Sequence, residues 1–87
     1  MYTIHLFAGA GGGILADILL GHTPICAVEL EEYPRRVLLQ RQLDGLFPAF
    51  PIWDDVTTFR QDNSETADFF RRAREVQEEL AICGGFP

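Results

Sequence analysis

The chain has 87 residues, with 13 acidic side chains against 7 Lys and Arg, and so a formal charge of −6. One domain at most fits that length, because a chain of this size buries only about 60–65% of the surface its unfolded form exposes, leaving a thin core. A composition 47% hydrophobic and 23% charged, with no repeat or biased tract, is that of a globular protein and excludes disorder of the whole chain.

Apolar stretches such as Ile25–Val28 are far too short to span a bilayer, and the N-terminal Met1-Tyr2-Thr3-Ile4 lacks the features of a secretory signal. No membrane partner and a cytoplasmic setting are therefore expected. The acidic balance argues against this stretch gripping nucleic-acid phosphates by itself, since that affinity comes from Lys and Arg. Cys26 and Cys83 form neither a metal-spaced set nor a disulfide framework. They read as reduced core thiols, and no metal is expected.

In chain order, Tyr2–Phe7 is rich in β-branched and aromatic residues and runs into Ala8-Gly9-Ala10-Gly11-Gly12-Gly13, a strand followed by a tight loop. From about Gly12, Ile14, Leu15, Ile18 and Leu19 fall at helical spacing, and Gly21 supplies a stop. Pro24–Val28 is a short apolar run of the kind found in parallel strands covered on both faces. A second helix starts near Pro34, takes its apolar face from Val37, Leu38 and Leu43, and ends at Asp44-Gly45. Phe50–Trp53 predicts a third strand ahead of Asp54-Asp55. The polar segment Gln61–Ser64 offers N-caps to a third helix with a stripe of Phe69, Ala73, Val76 and Leu80. The Glu and Arg residues of that helix form a solvated outer face. Leu80–Cys83 closes the series as a fourth apolar run. This order predicts an α/β doubly wound sheet with parallel strands.

The glycine loop after the first strand invites a ligand close to the backbone. A nucleoside triphosphate site would need a lysine near this loop, and there is none. The dinucleotide fingerprint places its third glycine at position 14, which is Ile14, so a nicotinamide-dependent oxidoreductase is disfavoured. What remains is the loop together with Glu29 after the second strand and Asp55 after the third, all at the carboxyl edge where open α/β sheets bind ligands. A carboxylate after the second strand suits the vicinal hydroxyls of a ribose, and one after the third suits an exocyclic adenine amine. S-adenosylmethionine, an adenosine without phosphates, fits that set. The alternatives are a plain turn for the glycines and a charge at a helix N-terminus for Glu29.

These residues resemble the DNA (cytosine-5) methyltransferases, specifically the N-terminal S-adenosylmethionine-binding part of their catalytic domain. Phe7-Ala8-Gly9-Ala10-Gly11-Gly12 is similar to the family's Phe-x-Gly-x-Gly-Gly loop, Ala27-Val28-Glu29 to its ribose-binding acid, and Asp54-Asp55-Val56 to its adenine site. Gly84-Gly85-Phe86-Pro87 is similar to the Gly-Phe-Pro that precedes the catalytic Pro-Cys-Gln. His5 stands where the family commonly has an acid, and a core or strand-end role suits it better. Leu30 stands where a bulkier residue often follows the ribose-binding acid.

The resemblance implies a Rossmann-like, class I methyltransferase sheet, incomplete here, with its first four parallel strands in the order 3-2-1-4. It implies that residues 1–87 are the N-terminal part of a methyltransferase domain, without the rest of the catalytic domain or the target-recognition region. By the same resemblance Phe7 packs on adenine, and Ala8, Gly9, Gly11 and Gly12 form the cofactor loop. Glu29 binds the ribose, Asp55 the adenine amine, Leu30 and Val56 wall the site, and Pro87 borders the methyl-donor pocket. In the family a cysteine attacks C6 of a flipped cytosine and C5 takes the methyl group. That nucleophile is expected at position 88, beyond Pro87, so the chain alone is expected to be inactive. The implied partner of the whole enzyme is double-stranded DNA, and self-association through an uncovered fourth strand is expected. The alternative is a non-catalytic cofactor-binding subunit of a split methyltransferase, or a remnant partner-binding module.

Overall fold

The computed structural model describes residues 1–84 and begins with a strand, β1 (Tyr2–Leu6). Helix α1 (Gly12–Leu19), β2 (Thr23–Val28), α2 (Glu32–Leu43) and a two-residue β3 (Ile52–Trp53) follow. A 3-10 turn at Val56–Thr58 then leads to α3 (Ala67–Ala73), a second 3-10 segment (Arg74–Glu79) and β4 (Leu80–Gly84). All pairings are parallel, and the four-stranded sheet has the order β3-β2-β1-β4. The expected α/β class and the 3-2-1-4 order are both present, in an open, Rossmann-like sheet.

Helices cover both faces, and the alternation of strand side chains decides which face each residue serves. On one face Ala27 packs with Ile14 of α1, Leu38 of α2, and Phe47 and Phe50 of the loop before β3. On the other, Ile4, Cys26 and Val28 meet Trp53, Phe59, Phe69 and Leu80. Phe59 packs on both Phe69 and Phe70, at 5.5 and 4.7 Å between ring centroids.

The glycine stops operate as expected. Gly21 at φ 86° and Gly45 at φ 79° adopt the left-handed conformation that a side chain disfavours. The Gly21 and His22 amides donate to the Ile18 and Asp17 carbonyls, and the Gly45 and Leu46 amides to those of Gln42 and Arg41. Each pair closes its helix in a Schellman arrangement. At Pro24, which has no amide hydrogen to give to a ladder, the register of β1 with β2 skips one residue.

Three expectations change. Leu15 and Leu19 of α1 and Leu43 of α2 face solvent, so the inward stripes are narrower than the apolar spacing suggests. The third helix ends at Ala73: Val76 has non-helical backbone angles (φ −119°, ψ 19°), and Leu80 begins β4. The N-cap of α3 is Thr66, not a residue of Gln61–Ser64. Its hydroxyl donates backwards to the Arg60 carbonyl at 2.5 Å and ties down the turn that leads into the helix.

Candidate functional site

Because all four strands run parallel, the loops after β1, β2 and β3 leave from one edge of the sheet. Phe7 begins the first loop at φ 53°, a left-handed conformation rare for an aromatic residue and costing on the order of 1–2 kcal/mol. Sequence patterning carried no signal of it. The Gly11 amide donates to the Ala8 carbonyl at 3.1 Å, which folds Ala8–Gly11 into a tight turn.

The glycines of this turn differ in why they are glycine. Gly9 is left-handed (φ 56°), and a Cβ there would meet open space. Gly11 is left-handed (φ 95°) and lies under α2, where a Cβ would come within 2.8 Å of the Phe47 ring and 2.9 Å of Leu38. The need at Gly11 is thus internal packing, whereas at Gly9 it is conformational, with open space where a Cβ would stand. Gly12 opens α1 and is exposed, with room for a side chain. Ala8 packs partly against the core beside Ile14.

Glu29 is the only buried carboxylate among the described residues, at 9% exposure. One carboxylate oxygen accepts the Gly9 amide at 2.7 Å and the other accepts the Glu31 amide at 2.8 Å. The side chain therefore clamps the first loop to the start of α2. Arg35 closes the same corner by donating to the carbonyls of Glu29 and Leu30. A carboxylate has about four acceptor positions, and the described residues donate to one on each oxygen.

Asp55 caps the 3-10 turn: its Oδ1 accepts the Thr57 amide at 2.9 Å and the Thr57 hydroxyl at 2.7 Å. Those two bonds hold its carboxyl below the usual carboxylate range, while Oδ2 accepts no bond from the described residues. Val56 packs on the α3 face of the sheet and Leu30 is exposed. Pro87 lies outside the described residues.

Between the ends of β1 and β4, where the strand order reverses, lies a pocket of about 200 Å³ lined by His5, Leu6, Phe7, Ala8, Gly13, Asp17, Cys83 and Gly84. His5 donates from Nε2 to Asp17 Oδ2 at 2.6 Å. Burial acts to raise the Asp17 carboxyl, but the Thr3 hydroxyl and the His5 ring outweigh it and leave Asp17 below its ordinary range. Burial pushes the Cys83 thiol up, and the Asp17 charge adds to the effect. A larger hollow of about 460 Å³ lies between α2 and β3, around Leu39, Phe50 and Ile52. It holds none of the loop acids and is a groove beside the sheet edge.

The structure thus brings Gly9 and Glu29 into direct contact and sets Phe7 and Ala8 on the β1–β4 pocket, while Gly11 serves the interior. The convergence of His5, Asp17 and Cys83 was not anticipated; it follows only once strand order and facing side are known. No family model matches the chain, and no curated protein matches it.

Proposed function

We propose that this chain is the S-adenosylmethionine-binding part of a DNA (cytosine-5) methyltransferase. The observation that carries this reading is the buried Glu29 carboxylate at the tip of β2, gripped by the amides of two loops and keeping one acceptor position on each oxygen. A ribose diol needs that pair of acceptors. The free Oδ2 of Asp55 suits an adenine amine, Phe7 offers a partly exposed ring, and Gly9 leaves the backbone open to a close ligand.

The methyl group goes to C5 of cytosine in double-stranded DNA, the partner of the whole enzyme, and its setting is the cytoplasm. The chain alone does not methylate DNA. Cys26 is buried in the sheet, and Cys83 lies inside β4 beside Asp17, five residues before the position expected for the nucleophile. No helix among the described residues is long and apolar enough to cross a membrane.

Calorimetry with S-adenosylhomocysteine tests the reading, and saturable heat is expected. The Asp55→Asn variant keeps the cap through its amide oxygen but turns a donor toward the adenine amine. It is expected to fold normally and to bind roughly tenfold more weakly, the equivalent of about 1.4 kcal/mol. Absence of heat at millimolar ligand with folded protein overturns the proposal.

A further inference from the structure

Three side chains from three elements, separated by 12 and 66 residues in sequence, converge at the head of the β1–β4 pocket. His5 of β1 and Asp17 of α1 are in contact through Nε2 and Oδ2 at 2.6 Å, with side chains only 7% and 14% exposed. The Cys83 sulfur of β4 lies 3.9 Å from the same carboxylate oxygen. All three donor atoms fall within 4.8 Å of one another.

A tetrahedral metal with bonds of about 2.0–2.3 Å holds its ligand atoms roughly 3–4 Å apart, so the cluster needs only small side-chain movements to reach that spacing. The ligand chemistry is mixed. Imidazole and thiolate suit a borderline-soft cation, and the single carboxylate is compatible with it, whereas magnesium and calcium prefer oxygen throughout. The strands fix the His5 and Cys83 backbones in register as cross-strand partners, and Asp17 stands on α1, so all three donors sit on regular elements. The pocket formed with Phe7, Ala8, Gly13 and Gly84 gives access from solvent and room for a further ligand.

We propose that His5, Asp17 and Cys83 form a three-ligand zinc site whose fourth position opens into the pocket between β1 and β4. On binding, the Cys83 thiol loses its proton to water and its sulfur becomes a thiolate ligand. The neutral His5 ring gives up its Nε2–H hydrogen bond to Asp17, shifts that proton to Nδ1 as the other tautomer and coordinates through Nε2. Zn²⁺ uptake therefore releases one proton and replaces the His5–Asp17 hydrogen bond with two metal bonds. The three ligands are not among the residues of the adenosine reading, although the pocket beside them shares Phe7 and Ala8 with it.

Cobalt is the direct probe, added to the reduced whole chain without chelators. One equivalent of Co²⁺ is expected to give thiolate-to-cobalt charge-transfer absorption and the intense visible bands of four-coordination, both abolished by one equivalent of Zn²⁺. Cys83→Ala is expected to lose the charge-transfer band, while Cys26→Ala keeps it. Zn²⁺ is expected to raise the melting temperature of the natural chain and to leave that of Asp17→Asn unmoved. A folded natural chain that shows no charge-transfer band in excess Co²⁺ overturns the proposal without recourse to any variant. So does a band that survives Cys83→Ala and disappears with Cys26→Ala. Loss of S-adenosylhomocysteine binding leaves these optical outcomes unchanged, so the two proposals fail separately.

Discussion

At the scale of single residues, the loop glycines separate conformation from contact. Gly11→Ala introduces both a left-handed alanine and a Cβ pressed against Phe47 and Leu38, so it is expected to cost about 2–4 kcal/mol in urea unfolding. Gly9→Ala carries only the conformational cost of about 1–2 kcal/mol, because its Cβ enters open space. That same space is where a ligand would approach, so Gly9→Ala is expected to weaken S-adenosylhomocysteine binding in calorimetry by more than its stability loss accounts for. Cys26 makes a second residue-level case. Burial raises its thiol from 9.0 to about 12, so the folded state resists ionisation that the unfolded chain permits. The resulting stability is fully present below pH 9.0 and is lost as pH climbs toward about 12. Urea unfolding across that range is expected to show a steep alkaline decline in the natural chain and a shallower one in Cys26→Ala.

At the scale of elements, α1 and α2 differ from a simple amphipathic helix in having more apolar residues than the sheet can cover. Leu38 is fully enclosed by Ile14, Ala27, Phe47 and Phe50, whereas Leu43 is 73% exposed five residues later. Leu38→Ala is therefore expected to cost about 2–5 kcal/mol, and Leu43→Gln to stay within about 0.5 kcal/mol, by urea titration. The same excess limits what periodicity reveals. Strand type and helix stops were legible because glycines and short apolar runs mark them locally, whereas the sheet order was expected only from the family resemblance. The facing of Leu15, Leu19 and Leu43 was not, since an apolar surplus leaves the inward direction undetermined until the sheet is in place. Phe47 lies in a loop where no period exists to mark it as core. The third helix was overextended because Phe69, Ala73, Val76 and Leu80 keep helical spacing across a break that only the backbone at Val76 shows. At the candidate site the acids after β2 and β3 were legible from strand ends. The Glu29 clamp on Gly9 and the left-handed Phe7 were not, because both arise from loop closure.

At the scale of the whole molecule, the edges of the sheet decide how copies of the chain meet. β3 is two residues long and offers little to a second chain, and β1 and β2 are paired on both sides. β4 is five residues long and pairs only with β1 among the described residues. Ile82 on that strand is 65% exposed, so its free edge combines unpaired backbone groups with apolar surface, the pattern that promotes edge-to-edge association. Opposing it is the charge of −6, which makes copies repel. That repulsion fades with ionic strength, since the screening length falls from about 30 Å at 0.01 M salt to about 8 Å at 0.15 M. Apolar burial and strand pairing do not weaken in the same way. Association is therefore expected to grow with salt, read as a rising average mass in light scattering at fixed protein concentration. Ile82→Lys removes apolar surface and places a cation on the edge strand, and is expected to lower that mass at every salt concentration. A natural chain that stays monomeric from low to physiological salt would show that β4 is not an association edge.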